Sequence, residues 1–194
     1  MLKSLKLKYE PMKKITYTLL ALLIVAGLTA SAQERAYPEK FGKTLNLGLG
    51  LGYYGYVGHP LPVFHADFEF DVVRNFTLAP FINFYSYRNR YNHQDNYYYY
   101  YETVIPIGVK ATYYFDELLN ANNKWDFYLA GSLGFAIRNS HWDDGYDGDP
   151  DNYHGANPLY IDLHIGSEYH FNNKLGAFLD LSTGVSTIGL AVHF

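Results

Sequence analysis

From Leu45 to Phe194 the dominant period of the apolar residues is two, and this period constrains the chain more than any other feature. A period of two belongs to β-strands that have one apolar face. Over 43–54, Leu45, Leu47, Leu49, Leu51 and Tyr53 alternate with Asn46, Gly48, Gly50 and Gly52. The same alternation predicts strands over 63–72, 76–85, 102–115, 125–138, 159–171 and 175–183, and a last one carrying Ile188, Leu190, Val192 and Phe194. None of these apolar registers includes Asp, Glu, Lys or Arg. The opposite register carries His65, Asp67, Glu69, Asp71, Lys110, Asp126, Arg138, Asp162, His164, Glu168, His170, Asp180 and His193.

The predicted connections also alternate. Tight turns at 73–75 and 172–174, with a longer one at 116–124, would lie at one rim. The long segments 86–101 and 139–158, with shorter ones at 54–62 and 183–186, would lie at the other. An even number of strands, most long enough to cross a bilayer at a tilt, with short turns on one side and long loops on the other, describes a transmembrane β-barrel. The fold class expected is therefore all-β, an eight-stranded antiparallel up-and-down barrel over 43–194.

A soluble lipocalin-like barrel has the same period, with the apolar register lining a ligand pocket. Three features favour apolar side chains outside. The other register is rich in small residues (Gly48, Gly50, Gly52, Ala79, Ala130, Ser132, Gly134, Ala136, Gly176), which suit a crowded interior better than a solvated surface. Aromatic residues gather at the turn-side strand ends (Phe76, Tyr113, Phe115, Trp125, Phe127, Tyr169, Phe171, Phe194), as in an interfacial girdle. The chain also ends inside an amphipathic strand, TIGLAVHF, which can pair with the first strand and close the sheet.

Ahead of the strands, Lys3, Lys6, Lys8, Lys13 and Lys14 precede the apolar run Leu19–Leu28 and a small-x-small site at Ala30-Ser31-Ala32. This is the plan of a secretory signal peptide over 1–32, with Met12 as an alternative start. A short periplasmic segment, 33–42, would follow. The leader holds five lysines and one glutamate, which leaves the mature part with 10 Lys+Arg against 18 Asp+Glu, a net charge of −8. Such a balance argues against nucleic acid as a partner. With no cysteine, an exported chain has neither disulfides nor thiolate chemistry.

On these residues the chain resembles the small outer-membrane barrels typified by OmpX and the transmembrane domain of OmpA, over nearly all of 43–194. Thr187, Gly189, Val192 and Phe194 fill the places of that family's C-terminal assembly signal. The resemblance implies a cell outer-membrane location, recognition by the barrel-assembly machinery, contact with outer-membrane lipid and lipopolysaccharide, and a monomer.

Candidate functional residues fall into three groups. His65, Asp67, Glu69, Lys110, Arg138, Asp162, His164, Glu168 and Asp180 would form a polar network filling the lumen, because charges in a narrow interior need partners, with a proton or ion path as the alternative. The four lumen-register histidines lie on three strands, and His164 and His170 are about 20 Å apart at strand rise, so no metal site is expected. Asp147, Asp149 and Asp151 repeat the first half of a calcium loop but lack its closing glutamate and fixed glycine. They read as a solvated acidic loop, with weak Ca²⁺ binding or bridging to lipopolysaccharide phosphates as the alternative. Tyr97, Tyr98, Tyr99 and Tyr100 suit either contact with an unknown extracellular ligand, glycans included, or an aromatic girdle continued up a projecting strand.

Lipid-A deacylases and acyltransferases need a serine beside a histidine base. The His-x-Ser pairing of the deacylases does not occur in this sequence, and His193 would lie at the opposite rim from Ser186. The expectation is a non-enzymatic outer-membrane barrel without a cofactor, whose loops serve envelope integrity, adhesion or surface recognition. A lipid-A-modifying enzyme is the alternative, and a secreted soluble barrel comes behind it.

Overall fold

The computed structural model describes residues 42–52, 61–93, 96–119, 121–122, 124–146 and 157–194. The leader expected over 1–32, most of the segment 33–42, and Asp147, Asp149 and Asp151 lie outside the described residues. Eight strands run in chain order: β1 (Lys43–Gly52), β2 (Leu61–Val73), β3 (Phe76–His93), β4 (Asn96–Tyr114), β5 (Trp125–Trp142), β6 (Leu159–Asn172), β7 (Leu175–Ser182) and β8 (Val185–His193). Each pairs antiparallel with its neighbours, and β1 pairs with β8, so the sheet is a closed barrel. A one-turn helix, α1 (Asp116–Leu119), sits in the β4–β5 connection.

Closure follows from the terminal strand. Its register runs from Thr44 opposite His193 to Gly52 opposite Val185, which supplies partners to the free edges of both β1 and β8. At the short-turn rim, the β2–β3 turn is tight because Asn75 takes a left-handed conformation (φ 58°), which asparagine tolerates better than most residues.

The apolar register faces outward. Leu47, Phe68 and Leu190 are exposed, as are Leu133 (62%), Leu163 (65%) and Ile188 (63%). The alternate register is buried, Asp67, Glu69, Lys110, Asp162 and Asp180 included. A continuous exposed band of leucine, isoleucine and phenylalanine has no counterpart on a soluble protein of this size. Hydrocarbon is the solvent that fits it, and only closed barrels and helices satisfy every backbone group there. At the turn-side rim Trp125 packs on Tyr169 (4.9 Å between centroids) and Phe127 (5.9 Å), and Tyr169 on Phe171 (5.6 Å), forming part of an aromatic girdle.

Three strands run four residues or more past the ends that the alternation predicts. β3 continues to His93 rather than 85, β4 begins at Asn96 rather than about 102, and β5 reaches Trp142 rather than 138. The stretches 86–93 and 96–101, expected as parts of a long loop, are therefore strand. Arg88 pairs with Tyr101, Arg90 with Tyr99 and Asn92 with Tyr97. The stretch 86–93 adds roughly 25 Å along β3 at ordinary strand rise, so β3, β4 and β5 project beyond the lipid-facing band.

Lipid exposure can be tested by charge. Leu133→Arg, on the outer face of β5, should lower the unfolding free energy by about 2–4 kcal/mol if it lies near the midplane. Equilibrium unfolding in urea from lipid vesicles would read this difference.

Candidate functional site

Two acids on β2 organise the interior. Asp67 accepts hydrogen bonds from Lys110 Nζ (2.7 Å) on β4 and Asn46 Nδ2 (2.8 Å) on β1, and lies 2.9 Å from His65 Nε2. Glu69 accepts from Thr77 Oγ1 (2.7 Å) and from the Tyr114 hydroxyl. Across the lumen Asp180 accepts from the Tyr128 hydroxyl (3.0 Å) and lies 2.7 Å from His164 Nδ1. The Tyr128 ring lies 6.0 Å from Lys110 Nζ and so links the two halves. Small residues make room for these large groups. A Cβ on Gly166 would come within 2.2 Å of the Tyr128 ring, so glycine is required where that ring crosses the barrel. These interior carboxylates are thus partnered, as burial in low dielectric demands.

The rest of the expected network divides between the two ends. Asp162 anchors the β7–β8 turn: its carboxylate accepts from the amides of Gly184 (2.7 Å) and Val185 (2.9 Å), and from the hydroxyls of Thr183 (2.8 Å), Ser182 (2.9 Å) and Tyr160 (3.0 Å). At the turn end Glu168 lies 2.7 Å from His193 Nε2 and 3.7 Å from His170 Nδ1. Arg138 has the lumen parity but not the depth. Its side chain is 38% exposed and pairs with Glu102 at 3.9 Å. Glu102 itself is buried and accepts from the Tyr87 hydroxyl. It shares the parity of Lys110, and that is the signal from which it could have been placed in the network.

The projecting sheet sorts the tyrosine tract by parity. Tyr98 and Tyr100 turn to the inner side, where they meet Tyr146 (5.2 Å) and Trp142 (5.1 Å). Trp142 stacks on Tyr146 at 4.1 Å, and Tyr91 packs against Trp142 at 5.6 Å. Tyr97, Tyr99 and Tyr101 turn to the outer side. Arg90 lies over Tyr97 (4.6 Å), Arg88 over Tyr99 (5.2 Å), and His141 stacks on Tyr101 at 4.9 Å with the planes 5° apart. Of the four expected recognition tyrosines, Tyr97 and Tyr99 therefore join an outward row, while Tyr98 and Tyr100 help to hold it rigid.

A charged interior inside an apolar exterior reverses the order of a soluble protein, and the expected alternative of an apolar ligand pocket is absent from the described lumen. The chain has the fold of the small eight-stranded outer-membrane barrels. An apolar outer band with short turns at one rim and long projections at the other is the build of proteins of the cell outer membrane.

No protein-family model matches the chain, and no curated protein matches it in sequence. Solved structures that it resembles include one from the de novo design of transmembrane β-barrels, at 11% identity over 80% of this chain and 98% of that one, with a TM-score of 0.46. Neisserial surface protein A is 15% identical over 78% and 96%, with a TM-score of 0.46. The N-terminal β-barrel domain of Pseudomonas aeruginosa OprF is 10% identical over 80% and 97%, with a TM-score of 0.45.

One constellation inside the barrel has the order of a hydrolytic triad. Ser132 Oγ lies 2.9 Å from His164 Nε2, and His164 Nδ1 lies 2.7 Å from Asp180. The sequence gives no hint of it, because the three residues sit on β5, β6 and β7 without a shared motif. A nucleophile also needs access and a pair of free amides at the oxyanion position. Ser132 is 5% exposed in a filled interior, and it sits in the ladders that pair β5 with Lys110 of β4 and Asp162 of β6. Ser132, His164 and Asp180 are packed among the side chains that fill the lumen. Of the serines near the final hairpin, Ser186 is on β8 at the loop end and accepts from the Ser182 amide (3.0 Å), while His193 is at the turn end beside Thr44.

Two outcomes test the lumen. Lys110→Met leaves Asp67 without its cation and should cost about 3–5 kcal/mol in urea unfolding, whereas adding Asp67→Leu should restore most of the loss. The intact barrel in detergent should show no Ser132-dependent labelling by a fluorophosphonate probe.

Proposed function

We propose that this is a non-enzymatic outer-membrane barrel that displays the projecting β3–β4–β5 sheet as a surface for recognition or adhesion. The observation that supports it is the outward row of Tyr97, Tyr99 and Tyr101, with Arg88, Arg90 and His141 laid against the rings. Tyr97 is 61% exposed, although a buried place for it would gain apolar contacts. Tyrosine brings rigid amphipathic area at little entropic cost and is enriched where proteins meet partners. Flanking arginines bring donors in a fixed fork, which suit hydroxyl-rich or anionic groups. The inner cluster of Tyr91, Tyr98, Tyr100, Trp142 and Tyr146 stiffens the sheet from behind, so that the row is ordered before any partner arrives.

Thr187, Gly189, Val192 and Phe194 are proposed as the segment that the barrel-assembly machinery reads. Phe194 is exposed at the turn-side rim, and its amide donates to Lys43 O (2.9 Å) across the β1–β8 seam. Envelope lipid and lipopolysaccharide are the proposed surroundings, and a monomer the proposed state.

Cells displaying the protein should bind a subset of features on a glycan and matrix-protein array. The triple variant Tyr97→Ser, Tyr99→Ser, Tyr101→Ser should lose that binding while its folded band still shifts on heating in a gel. Equal binding by the variant would contradict the proposal. Deleting Phe194 should cut the yield of folded barrel in cells severalfold, yet leave refolding from urea into detergent nearly intact.

A further inference from the structure

At the turn end the barrel wall holds a cluster that neither the filled lumen nor surface recognition accounts for. Glu168 and His170 on β6 meet His193 on β8, across a gap that β7 leaves open at Gly176. A Cβ on Gly176 would stand 2.1 Å from Glu168 Oε1, so the missing side chain is what lets the carboxylate reach the two imidazoles. One ligand atom from each of the three residues lies within 4.8 Å of the others. The imidazole rings are 5.0 Å apart between centroids. His170 and His193 are thus at one depth. That corrects the expectation that the histidines of different strands are too scattered to share an ion.

From these observations we infer that Glu168, His170 and His193 form a binding site for a borderline divalent metal ion of the zinc class. The orientation of the rings carries the argument. His170 directs Nε2 at Asp126 Oδ2 (2.7 Å), and His193 directs Nδ1 at Thr44 Oγ1 (2.9 Å). Each ring therefore has one nitrogen tied to an outer partner and turns the other, His170 Nδ1 and His193 Nε2, toward the same oxygen of Glu168, at 3.7 and 2.7 Å. An outer carboxylate or hydroxyl on the far nitrogen fixes the tautomer and aims the lone pair, as metal-ligating histidines require. Ligand bonds of about 2.0–2.1 Å at tetrahedral angles put ligand atoms roughly 3.4 Å apart. The observed separations bracket that value, and small side-chain adjustments would close the set.

Two imidazoles and one carboxylate suit zinc or copper better than magnesium or calcium, which take all-oxygen shells. Three protein ligands leave a fourth position for water. His170 and His193 are part-buried rather than sealed, so an ion can enter from the rim. A bound ion would tie β6 to β8 next to the seam where β8 meets β1.

The test uses tag-free protein purified from membranes in detergent, with zinc chloride as the probe in equilibrium dialysis and calorimetry. The expected result is one zinc per barrel, no competition from millimolar Mg²⁺, and a rise in the temperature at which the folded gel band is lost. His170→Gln should abolish stoichiometric uptake. Asp126→Asn, which touches no metal, should weaken it by about 10–100-fold. Cobalt in place of zinc should give the visible absorption of a four-coordinate site in the native protein but not in His170→Gln. Absence of stoichiometric uptake at micromolar zinc would overturn the inference. So would uptake that persists unchanged in His170→Gln. His193→Gln is the less decisive variant because it alters the terminal strand, which is why His170 carries the test.

Discussion

The structure depends on one constraint: a backbone amide or carbonyl in hydrocarbon has no water to turn to. An open sheet would leave two edges of such groups, each costing several kcal/mol. Pairing of β8 with β1, from Thr44 opposite His193 to Gly52 opposite Val185, removes both edges at once. Everything else follows from closing eight strands. The outside must be apolar, and it is, from Leu47 on β1 round to Leu190 on β8. The described interior is filled by side chains, as a barrel of eight strands dictates.

That filling explains why so many charges occur in a membrane-spanning wall. Asp67 gathers Lys110, His65 and Asn46; Asp180 holds Tyr128 and His164; Asp162 takes five donors from the last turn and its surroundings. Breaking such sets leaves desolvated groups unpaired, so each acts as a positional lock on the strands that contribute to it. Ser132, His164 and Asp180 show that a dense network of serine, histidine and aspartate can take the order of a catalytic triad within a filled interior.

The barrel itself was legible in the sequence because lipid on one side and a polar lumen on the other write a period of two into every spanning segment. Legibility stopped where the lipid stops. Beyond 85 on β3 and before 102 on β4 the outer face leaves lipid while the inner face is packed with tyrosines such as Tyr87 and Tyr100, so Arg88, Asn89, Arg90 and the tyrosines carry no apolar alternation, although the strands continue to pair. The segment therefore reads as a loop, Glu102 falls at the margin of its strand, and Arg138 is assigned to the lumen by parity when its depth puts it at the mouth. The meeting of His170 with His193 was hidden for another reason. It depends on the registers of β6 with β7 and of β7 with β8, which set His170 opposite Gly176 and Gly176 opposite Ala191. Periodicity says which face a residue takes but not how far each strand has slid against the next.

The central claim, that the apolar register faces lipid around a closed polar interior, can be measured directly because the chain has no native cysteine. Single cysteines at Leu47, Phe68, Ile107 and Leu190, and at their register neighbours Gly48, Asp67 and Gly189, would carry spin labels in vesicles, with oxygen and a water-soluble nickel chelate as relaxing agents. The account predicts high oxygen and low nickel accessibility at the first four sites, and restricted mobility with low oxygen accessibility at the neighbours that fold. If labels at Leu47, Phe68, Ile107 and Leu190 were instead immobilised and shielded from oxygen, the apolar register would line the interior, and the membrane barrel would be contradicted.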